Sequence, residues 1–234
     1  MIVGVMQPYF VPYIGYWQLM NAVDKYVIYD DVNYINRGWI NRNRILVDGK
    51  AKYFNVPMIG ASQNKLINEI GVNADSKLHE NNLRVLKDAY KKAPYFEAVY
   101  ALMEKVITCG EDNLAAYLVK SFQYICEYLE IHTELILSSD LEKDNTLRGQ
   151  DKILSICEIL GATEYYNAIG GQELYSFERF REKGMQLKFL KTNEITYRQF
   201  GNDYLANLSI IDVMMFNSKE EVKRMLNEFV LVED

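Results

Sequence analysis

An unbroken apolar run, MIVGVM, opens the chain and passes directly into Gln7-Pro8-Tyr9 and Pro12-Tyr13. A short continuous run of this kind predicts a strand buried on both faces. The two prolines forbid helix until about residue 14. Residues 14–23 then predict a helix and 25–29 (KYVIY) a second strand. Strand, turn, helix and strand within so short a stretch make a βαβ unit, which commits the chain to parallel strand pairing.

Residues 32–43 are rich in Asn and too polar for a core element, so they predict a long loop. Asp48-Gly49 between Ile45–Val47 and Tyr53–Val56 predicts a hairpin. Residues 76–92 space Leu78, Leu83, Leu86 and Tyr90 at helical intervals, with Ser76 as the expected N-cap and Ala93-Pro94 as the stop. Residues 95–108 and 111–130 predict two more helices. Strand–helix alternation resumes with a strand at 134–137, a polar segment to Gln150 and a helix over 150–160 closed by Gly161. It continues with a strand at 163–166, a helix over 173–183 and a strand at 185–190. Ser209 is read as the cap of a helix through Phe216, and 218–232 as an amphipathic helix closing the fold. The expected architecture is α/β: a Rossmann-like parallel sheet flanked by helices in one domain over 1–234, with a helical insertion at about 76–131.

Composition narrows the function classes. The 234 residues carry a net charge of −6, which argues against a general nucleic-acid binder. No apolar run reaches the length that spans a bilayer, and no secretory leader pattern opens the chain. A cytoplasmic location and no membrane insertion are expected. Cys109, Cys126 and Cys157 show no metal-ligand spacing and read as structural thiols. No metal site and no particular cofactor is indicated. Tyrosine is over-used, with 18 residues, and its apolar body and polar tip suit pocket walls.

Candidate site residues cluster at strand ends, where open α/β sheets bind ligands. Gln7, Tyr9, Tyr13 and Tyr16 lie on the stiff first turn; a rigid turn with aromatic packing is the plain alternative. Gly15 serves either close ligand approach or close helix–strand packing. Asp30-Asp31 ends the second strand and offers carboxylates to sugar hydroxyls, or else a turn cap. Trp39, Asn41, Arg42, Asn43 and Arg44 supply an aromatic face, amides and two guanidinium forks suited to phosphate or carboxylate. Gly170-Gly171, between a strand and a helix, sits where phosphate-binding turns occur. His79 is a candidate general base and otherwise a core-edge histidine; His132 reads as structural.

The stretches QPYFVPYIGYW, YVIYDDVNY, WINRNRI, LHENNLRVLKDAYKKAPYF, KILSICEILGATEYYNAIGGQELY and YRQFGNDYLANLSIIDVMMFN together resemble the WbqC-like family of bacterial proteins. The likeness spans residues 3 to about 217. It implies a role in bacterial surface-polysaccharide (O-antigen) biosynthesis, with a nucleotide-linked amino sugar as small-molecule substrate. Acyl or aminoacyl transfer to the sugar amine is the activity it suggests. The family pattern falls on Gln7, Pro8, Tyr9, Pro12, Gly15, Tyr16, Asp30, Asp31, Asn41, Arg42, Asn43, His79, Tyr90, Gly170, Gly171, Tyr175, Gln199, Ser209 and Asp212. It implies His79, Gln7 and Asp30 as catalytic, with Tyr175 and Gln199 among the substrate contacts. Asn33 stands where Gln is expected and Asn36 where Lys is usual, so contacts from loop 32–38 are expected to differ. The first βαβ unit is also similar to adenylyl-transferring α/β enzymes with an HxGH signature, but Tyr16 replaces the second histidine. A divergent nucleotidyltransferase and a non-catalytic sugar-binding protein are the alternative readings.

Overall fold

The computed structural model describes residues 1–201 and 203–233. Strand β1 (Ile2–Met6) and helix α1 (Ile14–Asn21) lead to β2 (Lys25–Ile28), and β1 and β2 pair in parallel. The opening βαβ unit therefore forms as its apolar pattern requires. β1 is buried on both faces: Val3 and Val5 face one apolar cluster, while Ile2 and Met6 pack on another.

A hairpin follows, β3 (Arg42–Val47) and β4 (Lys50–Asn55), turned by Asp48 and Gly49 at φ of 50° and 71°. Two successive positive φ values are what a tight hairpin turn demands. A two-residue ladder, β5 (Met58–Ile59) with β6 (Gly71–Val72), was not foreseen; runs so short leave no period to read. Helices α2 (Ser76–Tyr90), α3 (Phe96–Ile107) and α4 (Leu114–Leu129) come next. The α2 cap is Asp75, whose carboxylate accepts from Lys77 N, not Ser76.

β7 (Glu134–Leu137), α5 (Gly149–Leu160) and β8 (Glu164–Ala168) resume the alternation, with Gly161 closing α5 at φ 68°. The expected helix over 173–183 is instead a 3₁₀ segment, Ile169–Leu174, and a short α6 (Phe177–Glu182). The Ser176 side chain restarts the helix by accepting from Arg179 N. β9 (Gln186–Thr192), α7 (Ile210–Phe216), α8 (Lys219–Met225) and β10 (Phe229–Val232) complete the fold. The expected closing helix thus stops at Met225. The final apolar residues, Phe229–Val232, pair antiparallel along β9, which gives that strand's backbone a partner.

The sheet order is β10-β9-β8-β1-β2-β7, parallel except for β10. Helices α5 and α6 cover one face through Ile153, Ile156 and Phe180. Helices α1, α4, α7 and α8 belong to the cluster on the other, where Trp17 and Phe122 meet edge-on at 5.6 Å. The segment read as a helical insertion therefore builds part of the cover of that second face. Cys126 and Cys157 lie buried in the two clusters, and desolvation lifts each thiol to about 12.

The topology fixes where a ligand goes. The chain leaves β1 toward β2 on one side and leaves β8 toward β9 on the other, so the connections diverge between β1 and β8. In open α/β sheets the crevice at that divergence, outside the carboxyl ends of the strands, is the binding site.

Candidate functional site

A cleft of about 700 Å³ opens at this divergence, a size that takes a drug-sized ligand. Its floor is the end of β1 (Val5, Met6, Gln7) and of β8 (Asn167, Ala168). Tyr9, Tyr13, Tyr16 and Trp39 wall one side, and Gly170, Gly171, Leu174 and Tyr175 the other. Helix α5 brings its N-terminus, Arg148, Gly149 and Gln150, to the cleft. No side chain caps this helix start, so its N–H groups and dipole favour an anion.

The walls are held from behind. Tyr16 donates to the Gln7 carbonyl at 2.9 Å. Asn167 donates to the Tyr165 hydroxyl at 2.6 Å and the Tyr175 hydroxyl at 3.2 Å, while its oxygen accepts from Ala168 N. A Cβ on Gly171 would come within 3.0 Å of the Asn167 oxygen, so the residue type there keeps the turn close to β8. Gly15 serves packing: a Cβ would lie 2.5 Å from Thr192 Oγ1 and from the Tyr13 ring. Burial raises the phenols of Tyr9, Tyr13, Tyr16 and Tyr175. At neutral pH these walls are neutral hydrogen-bonding and stacking groups, not proton-transfer groups.

A recess of about 320 Å³ adjoins the cleft and shares Tyr29, Val32 and Arg148 with it. Asp31 lies here, its Oδ2 paired with Lys143 at 2.9 Å and Lys152 at 3.1 Å. Both lysine side chains are nearly enclosed, with 1% and 5% exposure. Burial works against the Asp31 carboxylate, but hydrogen bonds from Lys143 and Lys152 outweigh it and hold the group below its ordinary range. Two lysines and Arg148 against one carboxylate leave the recess positive. Lys152 also lies 5.0 Å from the centre of the Tyr29 ring.

Other expected site residues turn out to brace the structure. Asp30 is 1% exposed, with its oxygens accepting from Ser139 N and Asn68 Nδ2, each at 3.0 Å. It ties the end of β2 to two neighbouring turns and so positions Asp31. Asn41 accepts from the Tyr34 hydroxyl at 2.8 Å. Arg42 donates to the Gly38 and Arg37 carbonyls and stacks 4.2 Å over Tyr53, outside the cleft. Asn43 donates to the Phe10 carbonyl, fastening β3 to the first turn. Gln199 is buried against Asp212 at 2.7 Å, alongside Tyr90 and Tyr197. His79 lines neither the cleft nor its recess; its Nε2 meets the Asn73 carbonyl at 3.0 Å. The structure thus gathers Gln7, Tyr9, Tyr13, Tyr16, Trp39, Gly170, Gly171 and Tyr175 around one cleft, with Asp31 beside it. It adds Arg148, Gln150, Lys152 and Asn167, which the sequence reading passed over.

Residues 7–224 match the WbqC-like protein family. The chain belongs to that family. Within the WbqC-like span lie both the first turn and α5, so the match takes in every residue lining the cleft except Val5 and Met6. The chain is similar to the uncharacterized protein Rv1507c of Mycobacterium tuberculosis (strain ATCC 25618 / H37Rv). The two are 26% identical over 220 residues, 92% of this chain and 93% of the relative. No solved structure matches the chain. Among the described residues no helix is long and apolar enough to cross a membrane.

Proposed function

We propose that this WbqC-like protein binds a nucleotide-linked amino sugar in the cleft and transfers an acyl or aminoacyl group to the sugar amine, in the biosynthesis of bacterial surface polysaccharide. The observation that carries the binding step is the uncapped N-terminus of α5. It opens with Arg148 into a tyrosine-walled cleft, next to a recess lined by Lys152 and by Asp31, the carboxylate that Lys143 also pairs with. A diphosphate is the group these features suit: backbone N–H donors, a guanidinium and excess positive charge converge from one side. Tyr9, Tyr13 and Trp39 offer flat faces to the organic ends of the ligand, and Gln7 offers an amide to hydroxyls.

The transfer itself rests on the family resemblance. In that step the sugar amine attacks the carbonyl of an activated acyl donor, an amide forms, and the donor's leaving group departs while the amine proton passes to solvent. The protein's share is positioning. His79 and Asp30, expected as base and catalytic carboxylate, have no part in this reading because both are tied away from the cleft.

A thermal-shift panel of UDP-, dTDP- and CDP-linked amino sugars tests the binding step. At least one should raise the melting temperature in a concentration-dependent way. Binding without product in the presence of acyl donors would reduce the reading to sugar recognition; no shift with any member would remove it.

A further inference from the structure

Tyr9, Tyr13 and Trp39 are each shared between the cleft and a neighbouring cavity. Behind the cleft they close this second cavity, of about 340 Å³, completed by Asn43, Arg44 and Asn207. Arg44 is its charged group, and that charge is poorly matched. Among the described residues the guanidinium donates one hydrogen bond, from Nη2 to the Asn207 carbonyl at 3.3 Å. Its Nε is buried without a partner among the described residues, and none of their carboxylates pairs with the guanidinium. The guanidinium leans toward the Trp39 ring at 5.6 Å. A partly buried cation with spare donors is unfavourable unless something supplies acceptors.

The cavity is also rigidly built. Asn207, which lines it, and Val11, next to the lining residue Pro12, both have left-handed backbone, at φ of 56° and 38°. For a β-branched residue such as Val11 this is a true outlier. Ser209 ties the Val11 turn to β3: its Oγ donates to the Val11 carbonyl at 2.6 Å and its N–H to the Arg44 carbonyl at 2.8 Å. Strained backbone persists only where the surroundings over-determine it, and it concentrates at ligand clamps.

We propose that this cavity is a subsite for a small oxyanion-bearing co-substrate, a carboxylate on a compact apolar body, gripped by Arg44 and stacked against Trp39. The fork of a guanidinium matches a carboxylate in two parallel hydrogen bonds. The aromatic walls accept the apolar remainder, and the shared residues set it beside whatever fills the cleft. Only the term co-substrate rests on the cleft reading; the subsite itself does not.

The test is the fluorescence of Trp39 during titration with benzoate and, separately, with inorganic phosphate. A Trp39→Phe control subtracts the signal of Trp17, the other tryptophan. A saturable change with benzoate is expected, tighter than with phosphate, which lacks the apolar body; tighter binding of phosphate would overturn the carboxylate assignment. Arg44→Gln should raise the apparent Kd by about tenfold or more. Arg44→Lys, which keeps the charge without the fork, should weaken binding by less and carries the comparison if Arg44→Gln does not fold. No saturable change with either anion, or a folded Arg44→Gln that titrates like the wild type, overturns the proposal. UDP-glucosamine titrated separately into the wild type reports on the cleft. Failure of every sugar in the thermal-shift panel, with anion binding intact, would remove the cleft reading and leave the subsite standing.

Discussion

His79 illustrates how a residue's chemistry and its place can part company. As one of two histidines it drew attention as a base, yet the first turns of α2 deliver its ring to the Asn73 carbonyl. His79→Gln should therefore leave ligand affinity within about twofold of wild type by calorimetry, since a group outside the cleft contributes no contact; a tenfold loss would return it to the site. Asp212 shows a different structural use of a polar side chain. Fully buried, it accepts from Tyr90, Tyr197 and Gln199 at 2.7–2.9 Å, and burial still raises its carboxyl above the ordinary range. A raised folded-state value means that its contribution is complete at acid pH and is lost as pH rises through that value. The unfolding free energy of wild type minus that of Asp212→Asn, from urea titrations, should fall as the pH rises above the ordinary carboxylate range; a rise with pH there would contradict the assignment. The tyrosines and glycines of the cleft were legible because they cluster in sequence beside strand ends. Arg148 and Lys152 were not, because they border a polar segment without periodicity, and an ordinary helix start looks the same whether it faces solvent or a cleft.

At the level of secondary structure, the long periodic runs were readable and the short closing pieces were not. α2, α3 and α4 stand close to their expected bounds, because an apolar stripe at helical spacing has few other solutions. The segment 218–232 misled because its first half is helical and its last apolar residues fit either a helix face or an edge strand. What settles it is tertiary: β9 has an open edge, and Phe229–Val232 pair along it. The Gln18 amide, donating to the Met225 carbonyl at 2.7 Å and the Glu228 carbonyl at 3.0 Å, holds the approach to β10. Removing residues 229–234 would uncover the backbone of β9. The truncated chain should show a lower urea midpoint and greater light scattering than the full chain, as bared edges template association; identical values would show β10 to be dispensable. Gly15 makes a matching point for α1. Gly15→Ala needs room already held by Thr192 and the Tyr13 ring, so it should displace Tyr13 and weaken binding in the cleft and in the Arg44 cavity, both of which Tyr13 lines, read by the same titrations.

For the molecule as a whole, the site exists only because the topology joins distant segments. β1 and β8 lie side by side although more than 150 residues separate Val3 from its partner Tyr165. The sequence yields each strand end by itself; it does not yield their adjacency, nor that the N-terminus of α5 faces the crevice between them. The central claim is that this composite cleft holds the phosphates of a nucleotide-linked sugar against the start of α5. Calorimetric titration of wild type and Arg148→Glu with the nucleotide sugar that gives the largest thermal shift tests it most directly. On that proposal, a carboxylate at position 148 should raise Kd by about tenfold or more, because a charge-assisted contact is lost and a like charge introduced. Equal affinity of the two proteins, both folded, would contradict it.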